Sequence, residues 1–298
     1  MARRLVGRGY DVHIMIRETS NKWRIKDIVK DITEHVVDLR DYDSLRKIVL
    51  GINPGIIYHL ATYGGHWLQQ DMQEIIQSNI IGTVNLLNAC AMLEFDCFVN
   101  TGSSSEYGLK SQAMVESDLL APITNYGASK AAATLFCQVI ASEHDLPVVS
   151  LRLFSPYGPY EEASRLIPTV VLASLSGEDP RLSSGGSVRD FIFIDDVLDL
   201  YLKVIEFKLS PGEVFNVGSG TQHLVSEVVD KIIALTEANI QPIYGSFIRP
   251  IVEPETWKAN LNKTIKMLKW EPKIDMDQGL KKTIEWFRQH SDLNAQRG

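Results

Sequence analysis

TGSSSEYGLKSQAMVESDLLAPITNYGASK, residues 101–130, joins a hydroxyl-rich turn to the opening of an apolar helix. The turn holds Ser103, Ser104 and Ser105, and the helix opens with a Tyr126-x-x-x-Lys130 pair. Residues i and i+4 share one helix face, so the phenol and the ammonium can act at one point. A free tyrosine has a pKa of about 10, and a neighbouring ammonium favours its phenolate, which suits acid/base chemistry at a hydroxyl or carbonyl. The same spacing also arises by chance in many helices, so the surrounding sequence has to decide.

The sequence around this stretch alternates between short apolar runs and helical periodicity. The predicted strands are residues 11–17, 36–39, 55–61, 97–101 and 148–154, and the predicted helices are residues 2–9, 42–50, 75–93 and 125–143. Alternation of this kind is typical of a doubly wound parallel sheet, so the sequence predicts an α/β fold.

Small and polar residues stand where several of these strands end. They are Arg17, Asp38, Ala61 with Thr62, Ser103, and Ser155 after Phe154. In a doubly wound sheet, ligands gather at the carboxyl ends of the strands. The pattern therefore predicts a cofactor crevice at this end of the sheet.

Composition restricts the class of protein. The 298 residues are 45% hydrophobic and 22% charged, and the formal charge is −7, which argues against a nucleic-acid partner. The three cysteines have no CxxC spacing and the histidines no paired metal spacing, so we expect buried thiols, no metal site and a reducing compartment. No run reaches the roughly 20 apolar residues of a membrane span. We therefore expect a cytoplasmic protein without a membrane partner.

Further motifs follow the opening stretch and complete a family pattern. The pattern comprises Asp38-Leu39, His59-Leu60-Ala61, residues 79–87, Ser103 to Gly108, Tyr126 to Lys130, residues 151–159, residues 189–197, residues 215–220 and residues 268–272. In this order they resemble the extended short-chain dehydrogenase/reductase family, which includes nucleotide-sugar epimerases, dehydratases and reductases. The resemblance implies a Rossmann-like NAD(P)-binding domain over residues 1–154 and 189–217. It also implies a smaller substrate-binding lobe over residues 155–188 and 218–298.

The resemblance also implies roles for individual residues. Tyr126 would be the acid/base, Lys130 would hold the nicotinamide ribose, and Ser103 would hydrogen-bond the sugar oxygen. The implied cofactor-binding set is Arg17, Asp38, Leu39, Ala61, Thr62, Asn79, Tyr126 and Lys130, and the implied substrate-binding set is Ser103, Ser104, Ser155, Arg189 and Arg249. Arg189 would face the substrate diphosphate, which a guanidinium can contact through two parallel hydrogen bonds. Arg249 is either a second such arginine or a solvated loop charge.

Two departures from the family pattern concern the cofactor. The glycine-rich turn that receives a pyrophosphate is absent, and the sequence opens inside the helix that normally follows it. We therefore expect a truncation or a mis-assigned start, two strands with unpaired edges, and weak cofactor binding. The strand that normally ends in an acid ends in Arg17, which can accommodate a 2′-phosphate and favours NADP(H) over NAD. A solvated arginine is the other interpretation.

Two further departures concern the substrate. Dehydratases of the family carry an acid two positions before the Tyr-Gly pair, whereas this chain has Ser105 there and Glu106 one residue later. Because elimination of water needs an additional acid/base, a 4,6-dehydratase is disfavoured. Ser155 replaces the asparagine common in epimerases, which puts the usual sugar or diphosphate contact in doubt.

The sequence thus predicts a nucleotide-sugar epimerase or 4-ketoreductase that transfers hydride at the sugar C4, with NAD(P) as cofactor and NADP favoured. The substrate would be a nucleoside-diphosphate sugar. A non-catalytic binding or scaffold protein derived from the family is the alternative, motivated by the absent glycine turn. Helices 75–93 and 125–143 match the pair that commonly forms the family's homodimer, although their apolar faces would also suit burial against the sheet.

Overall fold

A computed structural model describes residues 1–246 and 254–290 of the chain. The helices are α1 Ala2–Val6, α2 Tyr42–Ile52, α3 Met72–Ile76, α4 Gly82–Cys90, α5 Asn125–His144, α6 Leu166–Ser176, α7 Ile194–Val204, α8 Val225–Thr236, α9 Asn262–Leu268 and α10 Met276–Gln289. The strands are β1 His13–Ile16, β2 Thr33–Val36, β3 Ile56–His59, β4 Cys97–Ser103, β5 Val148–Leu153, β6 Ser155–Tyr157, β7 Val188–Phe193, β8 Glu213–Val217 and β9 Gln222–Leu224.

The chain divides into two compact units. The first comprises Met1–Gly108, Leu119–Arg152 and Leu200–Phe215, and the second comprises Leu109–Asp118, Leu153–Asp199 and Asn216–Gly298. The assignment of a cofactor-binding domain and a substrate-binding lobe stays a prediction.

Parallel strands form the sheets of the first unit. β1 pairs with β2, and a four-stranded sheet has the order β3-β4-β5-β8. Within the described residues, β1 pairs only with β2, and β3 pairs only with β4. One edge of β1 and one edge of β3 are therefore left without a neighbouring strand.

Local sequence explains where the helices of the first unit begin and end. The Asp41 side chain accepts from the Ser44 N–H and caps α2, which ends at Asn53 in the left-handed region with φ of 51°. The inner faces of α2, α4 and α5 pack around Leu45, Leu87 and Phe98, all fully buried. Each such side chain contributes roughly 1.5–3 kcal/mol by leaving water.

Two elements differ from the predicted ones. The second strand lies at Thr33–Val36 instead of 36–39, and it pairs in register with His13–Ile16. The predicted helix 75–93 begins earlier and is interrupted by a π-helical turn over Gln77–Ile81. Such turns insert one residue into a helix and occur frequently at functional sites.

The second unit has its own sheet and core. β6 pairs with β7 in parallel, and β9 pairs with β7 in antiparallel fashion. α6, α8 and α10 pack on this sheet through a cluster that includes Tyr157, Phe193 and Phe287.

Candidate active site

The hydroxyl-rich turn follows β4 directly. Ser103 is the last residue of the strand, and a single 3-10 turn covers Ser104–Glu106. The Ser103 Oγ accepts from the Ser105 N–H at 3.1 Å. In return, the Glu106 carboxylate accepts from the Ser103 N–H at 2.7 Å, which completes a reciprocal capping box. The Ser103 hydroxyl hydrogen makes no hydrogen bond within the described residues, so it remains as a donor.

Tyr126 stands in the first turn of α5. The Thr124 hydroxyl caps this helix by accepting from the Gly127 N–H at 3.0 Å. A Cβ on Gly127 would lie 2.4 Å from the Ser105 carbonyl oxygen, so only glycine allows the turn this close to the helix. The tight contact places the serine turn against the start of α5, beside half-buried Tyr126.

Lys130 lies one helical turn after Tyr126 and is 3% exposed. Burial lowers the pKa of the Lys130 ammonium, and the Glu106 carboxylate opposes that shift. Burial and Lys130 together lower the pKa of His59 to about 3. His59 is therefore neutral at ordinary pH, and its Nε2 lies 2.8 Å from the Thr83 Oγ1. Because the His59 imidazole is neutral, it does not repel the Lys130 ammonium.

Asn79 connects the start of α5 to the loop after β3. It lies in the π-helical turn, and its Nδ2 donates to the Tyr63 carbonyl at 2.7 Å and to the Ser129 Oγ at 2.8 Å. Its Oδ1 accepts from the Tyr63 N–H at 2.8 Å, and Ser129 donates to the Tyr126 carbonyl at 2.8 Å. This chain of hydrogen bonds fixes the backbone of Tyr126. Protein groups engage the Asn79 amide on every side, and a direct cofactor contact stays a prediction.

A cavity of about 880 Å³ lies along β1 and β3 in the first unit. Its lining includes five residues of the predicted cofactor-binding set: Arg17, Asp38, Leu39, Ala61 and Thr62. The volume lies within the roughly 300–1,000 Å³ of small-molecule and cofactor sites. The same cavity extends along the unpaired edges of β1 and β3 as far as Val49 and Leu86. Only the part near the five strand-end residues is a candidate cofactor site, and dinucleotide binding there stays a prediction.

Two of these wall residues are held by neighbouring side chains. Arg40 contacts the Asp38 carboxylate with its Nε at 2.9 Å and its Nη2 at 2.6 Å, and this pairing lowers the pKa of Asp38. Asn85 donates to the Leu39 carbonyl at 2.8 Å. The wall near residues 38 and 39 is thus braced by protein contacts, while its role toward an adenine stays a prediction.

The predicted substrate residues Ser155 and Arg189 belong to the second unit. Ser155 opens β6 and is half-buried. The Arg189 guanidinium lies 5.6 Å from the centroid of the Trp257 ring and donates to the Val188 carbonyl at 2.7 Å. Arg249 lies outside the described residues. Ser104 is buried within the turn of the first unit. The substrate-binding roles of all four stay predictions.

Sequence reasoning missed the residues behind the turn. Glu106 is fully buried, and its Oε2 accepts from the Arg152 Nε at 2.7 Å. The Thr134 hydroxyl donates to its other oxygen at 3.1 Å. The only sequence signal was a carboxylate in an otherwise hydroxyl-rich turn, since the partners lie 28 and 46 residues away.

Cys90, Cys97 and Cys137 are buried and unpaired, as predicted. Burial raises the pKa of each thiol to about 12, so none is a reactive thiolate.

Within residues 1–246 and 254–290, no group of three His, Cys, Asp or Glu side chains has the arrangement of a metal site. No helix in the same residues has the length and apolarity to cross a membrane. The cytoplasmic location stays a prediction.

The model of the NAD dependent epimerase/dehydratase family matches residues 1–218. The chain belongs to this family. The family resemblance drawn from the sequence is thereby confirmed.

Known relatives include enzymes of two reaction types. A mouse dTDP-D-glucose 4,6-dehydratase is 30% identical over 234 residues, which cover 75% of this chain and 65% of that protein. A UDP-glucuronate 4-epimerase from Thermodesulfobacterium geofontis is 26% identical over 282 residues, covering 92% and 86%. Both reaction types of the family name are thus represented among relatives of similar identity.

A solved structure confirms the predicted fold. The UDP-glucuronic acid 4-epimerase from Bacillus cereus, in complex with UDP-glucuronic acid and NAD, superposes with a TM-score of 0.85. It is 25% identical, and the match covers 96% of this chain and 94% of that one. The α/β, Rossmann-like class predicted from the alternation of strands and helices is therefore correct.

Proposed function

We propose that this chain acts on a nucleoside-diphosphate sugar as an NAD(P)-dependent 4-epimerase or 4-ketoreductase, with Tyr126 as the acid/base. The observation that carries the proposal is the arrangement around α5. Tyr126 stands in the first turn, Lys130 is buried one turn later, and the Ser103 turn packs against the helix start. Family membership supports the reaction class, and the Bacillus cereus neighbour was solved with a UDP-sugar and NAD.

The first turn of a helix carries partial positive charge, so it stabilises a phenolate at Tyr126. The Lys130 ammonium adds to this stabilisation from the following turn. The Ser103 hydroxyl retains its hydrogen and can donate it to the sugar oxygen. Together these groups take a proton from the C4 hydroxyl, or return one to the C4 carbonyl oxygen. A bound nicotinamide supplies the hydride acceptor or donor for C4.

A 4,6-dehydratase is disfavoured on this scheme, although a mouse relative catalyses that reaction by name. Elimination of water requires an additional acid/base near the sugar. The carboxylate closest in sequence to Ser103 belongs to Glu106, which is fully buried and accepts from three protein donors. It is therefore not free to exchange protons with a substrate.

Tyr126→Phe tests the proposal. NAD(P) is supplied at a saturating concentration, because weak cofactor binding is expected. In a panel of nucleoside-diphosphate sugars followed by NMR, we then expect the wild type to convert at least one sugar at C4. We expect the variant to be slower by about 10²–10⁴-fold, the usual contribution of a general acid/base. Tyr42→Phe, at the first residue of α2 and outside the proposed site, is the control. Equal turnover by wild type and Tyr126→Phe would contradict the assigned role. Absence of turnover with every sugar, together with absence of nucleotide-sugar binding, would favour the scaffold alternative.

Cofactor use separates the epimerase from the reductase. Net consumption of NAD(P)H with product formation identifies a reductase, and product without net consumption identifies an epimerase.

The proposed preference for NADP(H) rests on Arg17, which lines the cavity. Its backbone N–H donates to the Ser20 hydroxyl at 3.0 Å. The solved neighbour contains NAD. Titration of both cofactors into wild type and Arg17→Ser tests the preference, and equal affinity of the wild type for both would remove it.

A homodimer is part of the proposal. Leu135 and Val139 lie one turn apart on α5, and each is 51% exposed. Ile81, at the end of the π-helical turn, is also exposed. Exposed apolar side chains at this spacing suit a helix-to-helix interface between two copies. Light scattering at micromolar concentration should give twice the chain mass, and Val139→Glu should halve it. A monomeric wild type would contradict the proposal.

A further inference from the structure

Glu106 is a buried acid directly behind the Ser103 hydroxyl. Its side chain is fully buried, and a Cβ on Gly102 would lie 2.7 Å from its Oε1. The backbone of β4 therefore passes too close to this carboxylate for any side chain at position 102. Burial raises the pKa of Glu106, whereas the Arg152 guanidinium and the Ser103 N–H oppose the shift.

Both carboxylate oxygens have defined donors. Oε1 accepts from the Ser103 N–H at 2.7 Å and from the Thr134 hydroxyl at 3.1 Å. Oε2 accepts from the Arg152 Nε at 2.7 Å. Arg152 is in turn fixed by the Tyr107 hydroxyl at 3.0 Å from its Nη1, and its guanidinium stacks 4.7 Å from the centre of that ring. Since an ionised acceptor strengthens hydrogen bonds, the carboxylate restrains the Ser103 backbone.

We propose that Glu106 is a positioning residue for Ser103. Its carboxylate, clamped by Arg152 and Thr134, holds the Ser103 N–H and so fixes the direction in which the Ser103 hydroxyl meets the sugar oxygen. This inference rests on the proposed function, because it assigns Ser103 a contact with the substrate.

The geometry distinguishes this role from a purely structural ion pair. The capping box links Glu106 and Ser103 reciprocally, and the Ser103 Oγ is itself directed by the Ser105 N–H. The same carboxylate reaches α5 through Thr134, one turn after Lys130 on the buried face. Glu106 thus joins the serine turn to the helix that carries Tyr126 and Lys130. A small displacement at this junction would misplace the Ser103 hydroxyl relative to the reacting oxygen, and such errors are costly in rate.

A double-mutant cycle with Glu106→Gln and Ser103→Ala tests the proposal. In the wild-type background we expect Glu106→Gln to lower kcat by about 10- to 100-fold, with KM within about threefold. In the Ser103→Ala background the same change should lower kcat by less than about threefold, because there is no hydroxyl left to position. Leu45→Ala, a core variant of the same unit, is the control for destabilisation alone. An equal loss in both backgrounds would overturn the proposal.

A second arm needs no turnover. With ¹⁵N-serine labelling, the Ser103 amide proton should resonate downfield in the wild type and move upfield in Glu106→Gln, but not in Leu45→Ala. An unmoved Ser103 resonance in a folded Glu106→Gln protein would overturn the proposal. Absence of turnover by the wild type would contradict the proposed function instead, and the amide shift would still decide the role of Glu106.

Thr134→Val serves if Glu106→Gln does not fold. It removes one donor to the same carboxylate oxygen and leaves Arg152 in place. We expect a smaller fall in kcat, about threefold, with the same dependence on Ser103. A fall that is unchanged by Ser103→Ala would count against positioning.

Discussion

Glu106 in the first unit and Asp190 in the second are both fully buried carboxylates, and they are stabilised differently. Glu106 combines a guanidinium with a hydroxyl and one N–H. Within the part of the chain that the structure describes, Asp190 accepts only from neutral groups. They are the Ser219 N–H at 2.6 Å, the Ser219 hydroxyl at 2.7 Å, the Gly220 N–H at 3.1 Å and the Ala259 N–H at 2.9 Å. Burial raises the pKa of both acids.

The difference shows what each acid does. The donors to Asp190 come from two loops about 40 residues apart, so its carboxylate fastens the loop at Ser219 and Gly220 to the segment at Ala259. Three backbone N–H groups and one hydroxyl provide this connection without a cation. Glu106 faces Ser103 and influences Lys130, so its charge also affects groups proposed for catalysis.

Removal of the Arg152 guanidinium should give the largest loss of stability. Arg152→Met leaves the Glu106 charge buried without its cation, which typically costs about 3–5 kcal/mol of the free energy of unfolding. Urea denaturation at pH 7 measures the loss. Arg288→Met removes an exposed arginine paired with Glu285 at 3.1 Å and should cost less than about 0.5 kcal/mol. A loss below about 1 kcal/mol for Arg152→Met would mean that the two acids are stabilised alike.

Asp190→Asn should give the second-largest loss, about 3 kcal/mol of the free energy of unfolding. The new NH2 group would face the Gly220 and Ala259 N–H groups or, with the amide flipped, the Ser219 donors. In either orientation, buried donors would lose their acceptor, which is costly. The same denaturation experiment applies, with the exposed substitution Glu271→Gln as control. If Asp190→Asn were as stable as wild type, the neutral donors could not be the reason for the buried acid.

Substitution of His59 should give the smallest effect on stability. The pKa of His59 depends on the charge of Lys130, which in turn interacts with Glu106. The folded pKa of His59, about 3, lies below the ordinary 6.5, so the unfolded chain binds the proton first as pH falls. The stability associated with His59 is therefore complete above pH 6.5 and is lost as pH falls toward 3, by about 2 kcal/mol at pH 5.

His59→Gln should abolish this part of the pH dependence. Unfolding free energies at pH 7 and pH 5 are compared between wild type, His59→Gln and the exposed control His144→Gln. Glu106 and Asp190 are present in all three proteins, so their own titration cancels in the comparison. An unchanged pH dependence in His59→Gln would show that the histidine is not buried beside a charged Lys130.

The sequence sufficed for the fold class and for the order of the elements, because apolar runs and helical periodicity are local signals. It placed the second strand three residues late, because Thr33, Glu34 and His35 are polar. Their pairing with β1, including contact between the rings of His13 and His35, was not visible in one strand alone. The π-helical turn was also missed, because one inserted residue hardly alters the apolar periodicity of residues 75–93.

Local motifs allowed the candidate site residues to be named from the sequence, and their roles stay predictions. Ser103, Tyr126 and Lys130 belong to one stretch of 30 residues, and five predicted cofactor residues line one cavity. The positioning network was not predictable, because Glu106, Thr134 and Arg152 meet only after β4, α5 and β5 have packed. Arg249 lies outside the described residues, so the second predicted diphosphate contact stays open to experiment.

The fate of deuterium at the sugar C4 tests the central claim most directly. A nucleoside-diphosphate sugar labelled at C4, identified from the substrate panel, is incubated with the wild type and with Tyr126→Phe, and the product is analysed by NMR. If hydride transfer occurs within the site, an epimerase gives an epimerised product that retains deuterium at C4. A reductase run in reverse instead transfers the deuterium to the reduced cofactor. Tyr126→Phe should form neither product at a comparable rate. Loss of the C4 deuterium to solvent, or equal conversion by Tyr126→Phe, would contradict the account.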